Sequence, residues 1–206
     1  MNRLQKVVLS GLLLLGACSP PPSGQAAEPS GKSATDAVQA PSPEAQVAGL
    51  LGNSGSLAQD HSPNILHGDF DGDGAPDLLA VVTVRGMAGD LPAGVHLVLP
   101  WPPNAEVVPS DNLAQGSRVG LLVIPAAGNA TEAYLLHDAN PISILDTEAA
   151  LELSVVPHSE LSALEEPELE NRARGDVIVV PTEAGIDTYL YWDGSTYRSF
   201  EPAEEP

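Results

Sequence analysis

The chain has one cysteine, Cys18, so no disulfide can form within it. It has no lysine after Lys32. Eight Lys and Arg stand against 28 Asp and Glu in 206 residues, a formal net charge of −20. A field of that sign disfavours nucleic acid and anionic lipid surfaces, and it favours cations and basic proteins. The five histidines (His61, His67, His96, His137 and His158) show no H-x-x-H or H-E-x-x-H spacing, so a zinc-hydrolase signature is absent. There is no G-x-S-x-G elbow; Gly52-Asn53-Ser54-Gly55-Ser56 misses the pattern and reads as a loop. The one apolar run near the N-terminus is too short to span a membrane. What remains for catalysis is scattered carboxylates, which pair in too many ways for sequence to choose among them.

What is present is concentrated in one stretch, His67-Gly68-Asp69-Phe70-Asp71-Gly72-Asp73-Gly74-Ala75-Pro76-Asp77-Leu78. It carries four carboxylates at alternating and then wider spacing. Alternate side chains of a tight loop converge on one point, and Ca²⁺ takes roughly six to eight oxygens in a flexible shell. The predicted ligands are the side chains of Asp69, Asp71, Asp73 and Asp77 and the backbone carbonyl of Ala75. Pro76 holds Ala75 extended and so aims that carbonyl. Gly72 and Gly74 let the backbone turn through φ > 0. Without a cation, carboxylates this close repel one another. An EF-hand would need a bidentate Glu where Ala80 stands, and a helix before the loop, so that reading fails. His67 is expected as a structural neighbour of the loop rather than a ligand.

The breaker-free, β-branched run Leu78–Val84 follows as a strand. Loop and strand together, D-F-D-G-D-G-x-x-D-L, resemble the FG-GAP repeat of integrin α-subunit propellers and related bacterial repeats. Asp69, Asp71, Asp73 and Asp77 match its ligand positions one for one. The resemblance covers roughly a dozen to twenty residues. It implies calcium and no particular biological role.

Residues 1–17 read as a secretory signal: Arg3 and Lys6 supply charge, and Val7–Leu15 is apolar. Leu15-Gly16-Ala17-Cys18 resembles the bacterial lipobox, which implies that Cys18 is lipidated and becomes the mature N-terminus. No free thiol would then remain. Acyl chains contribute about 0.8 kcal/mol per buried CH₂, so a multiply acylated terminus holds a membrane durably. Ser19, rather than Asp, follows the cysteine. By resemblance to Gram-negative lipoproteins, this implies the outer membrane, facing the periplasm. Residues 18–41 form the lipidated terminus and a Pro-, Ser-, Ala- and Gly-rich disordered tether. At about 3.3–3.6 Å per residue, Ser19–Pro41 reaches roughly 75–80 Å.

Residues 42–206 are expected to form one β-rich (α+β) domain, a compact antiparallel-sheet unit of one or two sheets with one or two short helices. Ser42 as N-cap, Pro43 at the first helical position and Gly52 as stop predict a helix between them. Strands are predicted over Leu78–Arg85, Gly94–Leu99, Arg118–Pro125, Glu132–His137, Ile142–Leu145, Leu151–Val156, Asp176–Pro181, Thr188–Trp192 and Thr196–Phe200. Asp193-Gly194-Ser195 predicts a hairpin between the last two, packed by Tyr189, Tyr191, Tyr197 and Phe200. Ser159–Glu166 is expected to make a helical turn or two, stopped by Pro167. Trp101, in Leu99-Pro100-Trp101-Pro102-Pro103, is expected as a core lid rather than a ligand platform. A propeller needs four or more blades. One repeat signature does not supply them, and His137–Asp146 lacks the glycines and spacing of a second.

These readings point to a non-enzymatic, monomeric, calcium-stabilised protein-binding lipoprotein of the bacterial envelope. The acidic run Glu160, Glu165, Glu166, Glu168 and Glu170 is the candidate docking face for a basic periplasmic protein. A more specific form of this reading is an inhibitor or immunity protein of a cell-wall hydrolase. The alternatives are a carboxylate-based envelope hydrolase and an adhesion or envelope-assembly protein.

Overall fold

Strand β3, Asp77–Arg85, organises the domain. In the computed structural model, which describes residues 41–85, 91–101, 117–126, 132–137, 152–181 and 187–202, it is buried along nearly its whole length. A strand covered on both faces needs a continuous apolar run rather than alternation, and Leu78–Val82 supplies one. Cys18, the tether, the predicted strand Ile142–Leu145 and the segment 138–146 lie outside the described residues.

One edge of β3 pairs antiparallel with β5 (Ser117–Ile124), from Leu78↔Ile124 to Arg85↔Ser117. The other edge is shared end to end by two short strands. β1 (Gly55–Leu57) lies opposite Val82–Val84, and β2 (Ile65–Gly68) lies opposite Asp77–Ala80. Beyond β5 come β6 (Ala133–Leu136) and then β4 (Val95–Val98), completing a six-stranded sheet. β4 runs parallel to β6, the one departure from antiparallel pairing among the described strands. It reaches the far edge before β5 and β6 are laid down, so it joins neither neighbour in sequence by a hairpin.

A second sheet has the order β10-β9-β8-β7, all antiparallel: β7 Ser154–Val156, β8 Val177–Val180, β9 Thr188–Trp192 and β10 Tyr197–Phe200. The two sheets pack face to face. Leu79, Val81, Leu121, Val123 and Leu136 of the first meet Ile178, Val180, Leu190 and Tyr197 of the second. Trp101 is buried in the same core. The outer face of the first sheet (Leu78, Ala80, Val82, Leu122 and Leu135) is covered by Val47 and Leu51 of helix α1, Pro43–Leu51. The caps of α1 are those the sequence calls for. Ser42 accepts from the amide of Ala45, Pro43 stands in the first turn, and Gly52, at φ 55°, ends the helix with its amide on Ala48 O. The outer face of the second sheet is covered by Leu161 of a 3₁₀ stretch, His158–Leu164, and by Leu169 of helix α2, Pro167–Arg172.

Two expectations need correction here. The 3₁₀ stretch ends at Glu165, in the left-handed conformation at φ 58°, before Pro167 is reached. Pro167 then opens α2 instead of only closing what precedes it, because the first helical turn needs no amide hydrogen from it. The expected hairpin forms, with Tyr197 opposite Trp192, so β10 starts one residue later than predicted. Asp193 closes its turn. Burial pulls the Asp193 pKa up, but the hydroxyl of Ser195, the guanidinium of Arg198 and the amides of Thr196 and Ser195 outweigh that and hold it well below the usual carboxylate range.

Candidate metal centre

Gly68 and Asp77 face each other across the β2–β3 ladder. The residues between them must therefore fold back as a closed loop. Phe70 anchors it: the side chain is 0% exposed in the inter-sheet core, while the amide donates to Asp77 Oδ2 at 2.9 Å. The loop's own amides then fix its carboxylates. Asp69 accepts from Gly72 at 2.9 Å and from Gly74 at 3.0 Å, through different oxygens. Asp71 accepts from Asp73 at 3.0 Å, and Asp73 from Ala75 at 2.7 Å. Asp77 accepts from Ala126 at 2.8 Å through its second oxygen. Each carboxylate oxygen has a further lone pair for a cation.

Asp69, Asp71 and Asp77 each offer an oxygen, and these oxygens lie within 4.8 Å of one another. Oxygens bound at about 2.3–2.6 Å to one centre are separated by at most roughly 4.6–5.2 Å. The trio can therefore hold one metal ion, and it is the one such group among the described residues. Asp73 is exposed and stands outside the trio. Ala75 is half-buried, with its amide turned to Asp73. His67 is exposed on β2, paired with Leu78, and is not one of the trio. His137 lies buried at the end of β6.

The electrostatics fit a cation. Burial pushes the Asp77 carboxyl up to about 6; the nearby Asp71 charge adds to this, against the amides of Ala126 and Phe70. Asp71 is also raised, first by burial and then by the charges of Asp73 and Asp69. The hydroxyl of Tyr197 is buried and has no hydrogen-bond partner, and its phenol is pushed up by burial and by the charges of Asp77 and Asp71. Carboxylate oxygen donors match a hard cation rather than a thiophilic metal.

A pH dependence follows. Asp77 holds its proton more tightly folded than unfolded, so its contribution to stability is fully present below about 3.8 and is lost as pH rises through about 6. Urea denaturation of the metal-free protein should therefore show this contribution falling across that window. Asp77→Asn, which is neutral throughout, should flatten the trend. A wild-type midpoint with the same slope as Asp77→Asn across pH 4–7 would contradict it.

The sequence carried no sign of what the loop rests on. The chain at Arg174-Gly175-Asp176 packs directly against it. Asp176 donates its amide to Asp69 O at 2.7 Å and accepts the Asp69 amide on Oδ2 at 2.9 Å. Its other oxygen takes the amide of His158 at 2.8 Å. Gly72, at φ 79°, lies so close that a Cβ there would stand 2.1 Å from Arg174 O. Asp176 thus ties the loop of the first sheet to β8 and the 3₁₀ stretch of the second. Of the acidic run, Glu160, Glu165, Glu168 and Glu170 are exposed and Glu166 is half-buried; Glu168 pairs with Arg172. No helix among the described residues is long and apolar enough to cross a membrane. No family model, curated protein or solved structure matches the chain.

Proposed function

We propose that this is a calcium-stabilised protein-binding lipoprotein of the bacterial envelope, anchored in the outer membrane through Cys18 and facing the periplasm. The observation that carries the calcium reading is the convergence of Asp69, Asp71 and Asp77 in a loop whose amides already hold the carboxylates in place. Asp73 and the carbonyl of Ala75 complete the oxygen shell in this reading. Calcium supplies charge neutralisation here. It relieves the repulsion among the carboxylates and holds the loop against Arg174–Asp176, so the gain is mechanical: the two sheets are pinned at that corner. The exposed glutamates of the 158–170 segment offer a basic partner a face with no lysine competing for it.

Calcium that binds only the native state stabilises it by about 2.7 kcal/mol at a hundredfold excess over Kd. Melting curves should rise on adding Ca²⁺ and fall with chelator, with little response to Zn²⁺, and Asp71→Ala should remove the response. A palmitate analogue should label wild-type protein and leave Cys18→Ser unlabelled. A melting curve indifferent to both Ca²⁺ and chelator would refute the calcium reading, and unlabelled wild-type protein would refute the anchor.

A further inference from the structure

After Lys32 the chain has five cationic side chains, all arginine: Arg85, Arg118, Arg172, Arg174 and Arg198. Three of the five line one cleft of about 700 Å³. They arrive from separate elements: Arg172 from the last turn of α2, Arg174 from the turn before β8, and Arg198 from β10. In a chain of net charge −20, most of the cationic side chains after Lys32 are gathered at one concavity. At physiological ionic strength the Debye length is about 8 Å, so an ion inside the cleft feels these arginines more than the distant acids.

Two of the three arginines have acidic partners, which orient them, and the third has none among the described residues. Arg198 gives its Nε to Asp193 Oδ2 at 3.0 Å, which orients the guanidinium and leaves its terminal N–H groups uncommitted by that bond. Arg172 is paired with Glu168 and hydrogen-bonded to the hydroxyl of Tyr191, so it shapes the cleft wall more than it offers free N–H groups. Arg174 is exposed and makes no side-chain hydrogen bond or ion pair among the described residues. Gly194 stands beside it, at φ 97°: a Cβ there would lie 3.8 Å from Arg174 Cγ and 3.9 Å from Nε, an ordinary packing distance. Among the described residues Asp193 is the one carboxylate lining the cleft, against three guanidinium groups. Buried Trp101 and Tyr191 add aromatic wall.

We infer that this cleft binds a small organic oxyanion, a phosphate or carboxylate group carried on a compact apolar or aromatic body. Guanidinium forks match the geometry of both groups bidentately, and the aromatic wall accommodates the remainder. The site shares no side chain with the cation loop, and the inference stands independently of calcium.

Isothermal titration of the full chain with phenyl phosphate, benzoate and inorganic phosphate tests it. At least one of the first two should bind saturably at one site, and more tightly than inorganic phosphate; which of the two is the tighter distinguishes a phosphate from a carboxylate ligand. Arg174→Gln should weaken the binding at least tenfold, and Arg198→Gln should do so too. Among the described residues Arg174 makes no side-chain bond, so its variant should melt like wild type. Arg85→Gln, on the far end of β3, should leave affinity unchanged. Three results would each overturn the inference: no saturable binding of any probe, equal affinity in Arg174→Gln, or an Arg85→Gln loss as large as that of Arg174→Gln.

Discussion

Phe70→Ala should destabilise the protein by about 3–5 kcal/mol, the range for removing a large aromatic side chain from a close-packed interior. Phe70 is 0% exposed and belongs to the core shared by both sheets. Its ring lies over Gly68, where a Cβ would stand 2.9 Å from Cε1, so the backbone of β2 has already closed down on it. Collapse into the vacated space would require that strand to move. The same residue's amide holds Asp77 Oδ2, so a displaced Phe70 also loosens a member of the trio. Loss of core packing and loss of cation response should therefore appear together. Urea titration should show a lower midpoint with an unchanged slope, and Phe70→Leu should recover much of the loss. A shift of less than about 1 kcal/mol would mean that the loop is not anchored through this ring.

What could be read from the sequence was what is decided locally. Helix α1 is specified by its own caps, Ser42, Pro43 and Gly52, within the span of the helix. The hairpin is specified by Asp193-Gly194, since the carboxylate and the left-handed glycine at φ 97° make the turn without outside help. Strand β3 is announced by its uninterrupted apolar run. Strands β1 and β2 are not legible in the sequence. Gly55-Ser56-Leu57 has no alternation, and Ile65-Leu66 is too short to show any. They exist because the free edge of β3 has amides and carbonyls that need partners. The aspartates of the loop were legible by spacing. Their difference in burial is not legible there: Asp73 and Asp71 alternate equally in sequence, yet Asp71 is half-buried and Asp73 exposed. Asp176 was invisible for a plainer reason, because its partner Asp69 lies 107 positions away.

The segment Arg174–Asp176 joins the two sites. Its aspartate and glycine receive the cation loop, and its arginine faces the cleft. The loop and the cleft are therefore supported by the same three residues of backbone.

Gly175→Ala should be the most damaging single methyl addition among the described glycines, together with one at Gly72. A Cβ at Gly175 would stand 2.2 Å from Asp69 O, 2.7 Å from the Gly72 amide nitrogen and 2.9 Å from the Phe70 carbonyl carbon. All three are backbone atoms of the cation loop, so no side-chain rotation relieves the overlap. The loop must lift, and the bond from the Asp176 amide to Asp69 O, 2.7 Å long, must stretch or break. Overpacking of this kind costs about 1–3 kcal/mol, and more where the backbone must move. Gly49→Ala is the matched control. Gly49 lies within α1, with nothing within 4 Å of the Cβ position, so alanine there should stabilise by about 0.4–1 kcal/mol. The two variants add the same methyl group and should move the melting temperature in opposite directions. Gly175→Ala should also weaken the stabilisation by added Ca²⁺, because the lifted loop no longer holds its carboxylates together, whereas Gly49→Ala should leave that response intact. Equal melting temperatures for Gly175→Ala and wild type would show that the loop and β8 are not pressed together as described.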